Sequence, residues 1–197
     1  MQCPDSLTEE VLEFAASVVP DAVPVYVDCS PLKAKPVCEC FPIVAEYVEK
    51  HGGVRELGWS IYMWPKVFIE AELHAVWRDL DGVRHDISPH QIPMKRILFL
   101  PDPAATYGET HQVNNRRKAL SNDSNVKRFI DAANGIYAEE NRGEFAKKDH
   151  FVTTPRWRKL QQEKLVCEMK LIQKYGPPPG TPALGAMGMK LLGKMFS

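Results

Sequence analysis

The chain has 197 residues, 44% of them hydrophobic, with 25 basic and 25 acidic side chains. That is enough apolar material for one core of ordinary size, and the absence of any run of about 18 apolar residues excludes a membrane-spanning helix. The first residues, "MQCPDSLTEE", have neither the basic nor the apolar region of a secretory signal, so a cytoplasmic location is expected, with the five cysteines (3, 29, 38, 40 and 167) as thiols rather than a disulfide framework.

In chain order, residues 6–18 predict a helix: Ser6 and Glu9 form a capping box, and Leu7, Val11, Phe14, Ala15 and Val18 recur at helical spacing. The short apolar run "VPVYV" follows, then a loop with Pro31, Pro36 and Pro42. Phe41, Val44, Ala45 and Val48 make a second helical stripe ending at Gly52-Gly53, which puts Cys40 at the N-terminal end of a helix. "LGWSIYM" and "VFIEAELHAVW" read as strands. In the latter Val67, Ile69, Ala71, Leu73, Ala75 and Trp77 alternate with Glu70, Glu72 and His74. A turn at Asp81-Gly82 leads into "VRHDIS", and "RILFL" is a further strand closed by "PDP". Residues 1–103 therefore predict an α+β unit with an antiparallel sheet.

Past Pro103 a polar stretch containing "NNRRK" precedes a helix over about 124–141. A second helix starts with Thr154 as N-cap and Pro155 at its first position, and stops at "YGPPPG". Residues 104–176 read as a basic helical extension, and 177–197 as a flexible tail bearing glycines and methionines. The balance of charge is uneven along the chain. Residues 1–90 carry 7 basic and 15 acidic side chains, and 91–197 carry 18 and 10, so the halves attract each other or the basic half faces an acidic partner such as nucleic acid.

Cysteine-based acyl transfer requires a thiolate, an imidazole to exchange protons and a third group to orient the imidazole. A helix N-terminus favours the thiolate, and its unpaired N–H groups can also hold the oxyanion of a tetrahedral intermediate. Cys40 has that setting. His74 and Asp86 share a face only in one hairpin register. A two-residue loop, Asp81-Gly82, pairs positions summing to 163 and turns Asp86 away. A three-residue loop, Leu80-Asp81-Gly82, with Gly82 in a G1 bulge, pairs positions summing to 162 and sets Asp86 opposite Val76, diagonal to His74, with Val83 turned inward. The second register is expected.

A cysteine opening a helix, "HAVW" in a strand and an Asp after a turn in "HDISP" together resemble the core of transglutaminase-like enzymes of the papain-like superfamily. The stretch from about 36 to 101 is also similar to bacterial proteins of undetermined activity. The resemblance implies a papain-like fold, in which the helix bearing the cysteine packs on an antiparallel sheet. It further implies a Cys40–His74–Asp86 triad acting on a peptide or protein amide, with no cofactor and no metal.

Other residues have weaker readings. Trp59 and Trp64 are candidate substrate-binding residues beside the thiol, with core packing as their alternative. Cys29, in "DCSP", is a second candidate nucleophile. Cys29, Cys38, Cys40 and His51 offer zinc-ligand chemistry, but C-x8-C-x-C lacks a second paired-cysteine arm. His85, His90, His111 and His150 are expected on wet surface. The rival to an enzyme is a binding module of the same fold that uses Arg116, Arg117, Lys127 and Arg128 for nucleic acid or an acidic protein.

Overall fold

The computed structural model describes residues 1–107, 113–147 and 154–180, apart from the side chains of Glu144 and Lys147. His111, His150 and the tail beyond Gly180 lie outside these residues. A long antiparallel hairpin, β2 (Val54–Trp64) and β3 (Phe68–Arg78), is the spine of an open sheet. On the β2 side follow β5 (Arg96–Pro101) and then β1 (Val25–Asp28). On the far edge of β3 lie two short strands, β4 (Arg84–His85) and β6 (Arg116–Ala119). All these pairings are antiparallel. The fold is therefore mixed α+β, with four α-helices among the described residues.

One face of the hairpin is covered by two helices. α1 (Glu9–Val18) buries Val11, Phe14 and Ala15 against Trp59, Ile61, Ile69, Ala71 and Leu73. Fully burying a side chain such as Phe14 contributes about 1.5–3 kcal/mol, which anchors a ten-residue helix too short to persist alone. Its cap is Thr8, which accepts from Val11 N, rather than the predicted Ser6. α2 (Cys40–His51) buries Cys40, Ile43 and Val44 over Ala75 and Ile87, and Gly52, at φ +75°, ends it.

The segment after Pro103 contributes a strand as well as helices and packs on the same sheet. β6, inside the polar "NNRRK" region, pairs with Phe68–Ala71 of β3. α3 (Ser124–Glu140) and α4 (Pro155–Tyr175) pack on each other, and Val126, Phe129, Cys167 and Leu171 close over Trp64, Val67 and Phe68. Two ion pairs join the acidic half to the basic half, Glu70–Arg117 at 2.9 Å and Glu13–Lys118 at 3.3 Å. Among the described residues no helix is long and apolar enough to cross a membrane.

The hairpin from β3 to β4 has the three-residue loop. Trp77 pairs with His85 and Arg78 with Arg84, positions summing to 162. Gly82 sits at φ +84°, a conformation that glycine adopts without strain, and the Asp79 carboxylate accepts from the N–H groups of Asp81 and Val83. Val83, however, is exposed rather than inward.

Candidate functional site

β4 reaches only Trp77–Arg78 of β3 and β6 only Phe68–Ala71, so between them the edge of β3 is left open along Glu72–Val76. A cleft of about 600 Å3 lies at this opening, with Cys40, Phe41, Glu72, His74, His90 and Tyr107 in its walls. Phe41 and Tyr107 stack at 3.8 Å between ring centres and form an aromatic part of the wall.

Cys40 is the first residue of α2, and Glu39 before it provides no side-chain cap. The first amides of a helix have no acceptor inside it, and Pro42 has no N–H, so the N–H groups of Cys40 and Phe41 are the ones presented at this end. Ile43, Val44 and the sheet beneath hold the helix in place, and the sulfur is buried at the base of the cleft. The chain before it is tight, since Cys38 takes a left-handed φ of +63°.

His74 and Asp86 meet as the register requires. His74 Nε2 lies 3.1 Å from Asp86 Oδ1, both groups are buried, and Cys40 lines the same cleft near enough to act on the His74 ring. With Nε2 committed to Asp86, Nδ1 is the nitrogen left for the sulfur. Burial by itself would lower the His74 pKa. The hydrogen bonds to Asp86 and Cys40, with their charges, override it and raise it to about 10. Burial would likewise raise Asp86, but the bonds from His74 and His90 hold its carboxyl well below the usual carboxylate range. The three predicted catalytic residues are therefore together at one end of the cleft.

Asp86 is held by more than His74. Its N–H donates to Asp28 O at 3.1 Å, and its carbonyl accepts from Ser30 N at 2.8 Å, which stitches the end of β1 to the strand carrying Asp86. Its Oδ1 also accepts from Ser88 N at 3.3 Å. Oδ2 contacts His90 Nε2 and accepts from Cys29 Sγ at 3.5 Å. His90 is thus not a solvated surface residue but lies against His74 and Asp86, its ring stacked 5.7 Å from that of His74. The i, i+4 spacing of Asp86 and His90 across Pro89 was the one sequence signal for it. His85 instead bonds Asp79 at 2.8 Å at the far end of the hairpin.

The remaining sequence candidates separate from the site. Trp59 and Trp64 line no part of the cleft: Trp59 sits in the α1 core with its indole N–H donated to Asp102, and Trp64 packs under α3 and α4. Both side chains are buried in the core, the alternative use the sequence offered for them. Cys29 is an unsuitable nucleophile, because burial and the neighbouring Asp86 charge push its thiol far up. The four predicted zinc candidates do not assemble. Cys29 turns to Asp86, and His51, at the opposite end of α2 from Cys40, stacks on Tyr47. Arg117 is spent on Glu70 and on Asn114 and Asn115, Arg116 lies over the Trp59 ring, and Arg128 pairs with Glu163.

Glu39, Glu70 and Glu72 line the cleft, with no Lys or Arg among the described lining residues, although Glu70 is paired with Arg117 and faces the Met1 ammonium. Glu72 is open to the cleft yet surrounded by protein mass, and this partial desolvation, followed by the charge of Glu70, raises its carboxyl pKa. Comparison with protein-family models, with curated proteins and with solved structures gave no match.

Proposed function

We propose that this protein is a cysteine-dependent acyl-transfer enzyme of transglutaminase-like, papain-like type that cleaves an amide by hydrolysis. The observation that carries the reading is the His74 ring bonded to a buried Asp86 and set in one cleft with the thiol that opens α2, which acts on the ring to raise its pKa. In this reading Cys40 Sγ, having given its proton to His74, attacks the amide carbonyl carbon and forms a C–S bond. The oxyanion is met by the N–H groups at the start of α2. His74 then protonates the leaving nitrogen, the C–N bond breaks, and a thioester remains. Water, deprotonated by His74, attacks the thioester carbon; the C–S bond breaks and a carboxylate leaves. Asp86 keeps the imidazole oriented and stabilises its cation throughout.

The lining carboxylates favour a neutral or basic peptide or protein side-chain amide over an acidic one. The rival binding module draws less support, since Arg116, Arg117 and Arg128 already have partners within the fold. The test is thiol labelling at pH 7 with iodoacetamide, mapped by mass spectrometry. Cys40 is expected to alkylate at least tenfold faster than Cys3 or Cys167, with that excess lost in His74→Ala. Equal rates for Cys40 and Cys3 in the folded protein would reject the proposal.

A further inference from the structure

A second set of groups is assembled beside the triad that the acyl-transfer reading does not use. Cys29 Sγ, one Asp86 carboxylate oxygen and His90 Nε2 all lie within 4.8 Å of one another. They come from three segments: the end of β1, the strand carrying Asp86, and the loop after it. The backbone bonds Asp86 N to Asp28 O and Ser30 N to Asp86 O hold the first two in fixed relation. Sulfur, imidazole nitrogen and carboxylate oxygen form the donor set of a zinc site with three protein ligands and one open position.

We propose that these three side chains form a binding site for a thiophilic divalent cation, Zn2+ being the best match. Tetrahedral zinc with bonds of about 2.0–2.3 Å sets its ligand atoms roughly 3.2–3.8 Å apart. The Cys29–Asp86 separation of 3.5 Å already fits. The His90–Asp86 contact is closer, and an ion between them requires the side chains to part slightly. The Cys29 thiol proton is released on binding, and His90 presents a nitrogen lone pair once its Nε2 proton has left. A second layer is already built, because Asp86 Oδ1 accepts from Ser88 N and contacts His74 Nε2. His90 lines the cleft and gives the ion a way in, and water from the cleft completes the coordination.

Occupancy has a consequence for the triad, and this clause rests on the acyl-transfer reading. The cation draws on the carboxylate that orients the His74 ring, so zinc should slow reaction at Cys40. Zn2+ and Co2+ titration of the reduced full-length chain tests the site without using activity. Co2+ is expected to bind once per chain and to give a thiolate-to-cobalt absorption band. The band should be lost in Cys29→Ser, affinity should fall at least tenfold in His90→Gln, which keeps an N–H for Asp86, and both should survive in Cys40→Ser and Cys38→Ser. Denaturant midpoints confirm that each variant is folded. Absence of a cobalt–thiolate band, its persistence in Cys29→Ser, or its loss in Cys40→Ser overturns the site. If cobalt binds as expected but saturating Zn2+ leaves Cys40 alkylation within twofold, the inhibitory consequence is overturned and the site stands.

Discussion

Replacing Asp86 with Asn tests the centre of the reasoning, because it exchanges a buried carboxylate for an amide of nearly the same shape. In the native site His74 is raised to about 10 by bonds to Asp86 and Cys40 that oppose its burial. In Asp86→Asn the charge and one charge-assisted hydrogen bond are lost, and only Cys40 is left to oppose burial. A hydrogen bond to a charged group contributes about 1.5–3 kcal/mol, so the thiolate–imidazolium population should fall by a factor of about 10–150. The alkylation rate of Cys40 at pH 7 should fall in proportion. Unfolding would act in the opposite sense, exposing every thiol, so labelling of the buried Cys167 serves as an internal marker. A folded Asp86→Asn protein whose Cys40 reacts within twofold of the wild-type rate would refute the argument that Asp86 stabilises the pair.

Two further outcomes are expected. His74 is held above its ordinary 6.5, so its contribution to stability is complete below pH 6.5 and lost as pH rises toward 10. Asp86 is held below its ordinary 3.8, so its contribution is present above that pH and lost on acidification. The difference in unfolding free energy between wild type and His74→Gln should therefore be widest between about pH 4 and 6.5 and narrow above it; a constant difference from pH 6 to 10 in urea titrations would contradict the assignment. Gly58 pairs directly with His74, and a Cβ there would stand 2.3 Å from Leu100 O and 2.6 Å from the Phe99 ring. Gly58→Ala should cost about 1–3 kcal/mol by overpacking, read as a lowered urea midpoint at unchanged slope, and an unchanged midpoint would show that the sheet yields freely behind the site.

Local features of the sequence were sufficient where one periodicity or one capping residue decides the outcome. Thr154 and Pro155 start α4 where the cap and the proline require, and the chain stops at Gly176. The stripe before Gly52 makes α2, with Cys40 as its first residue. Gly82, the residue best suited to a positive φ after Leu80-Asp81, selects the hairpin register that brings Asp86 to His74. The α+β class and three members of the candidate site were legible for that reason. Contacts between distant segments have no such local signal. "NNRRK" reads as a solvated basic run, and it becomes a strand because Arg117 finds Glu70, 47 positions earlier, at the uncovered edge of β3. Trp59 and Trp64 read as cleft wall or core, with core packing the better fit, and the packing of α1 and of the α3–α4 pair puts them in the core. The convergence of Cys29 and His90 on Asp86 spans 57 residues on one side and four on the other. The sequence alone determined α2, α4 and the register joining β3 to β4, because those follow from nearest-neighbour sterics and hydrophobic period. Which side chains share a buried carboxylate was decided only when the sheet and its helices closed and excluded water from it.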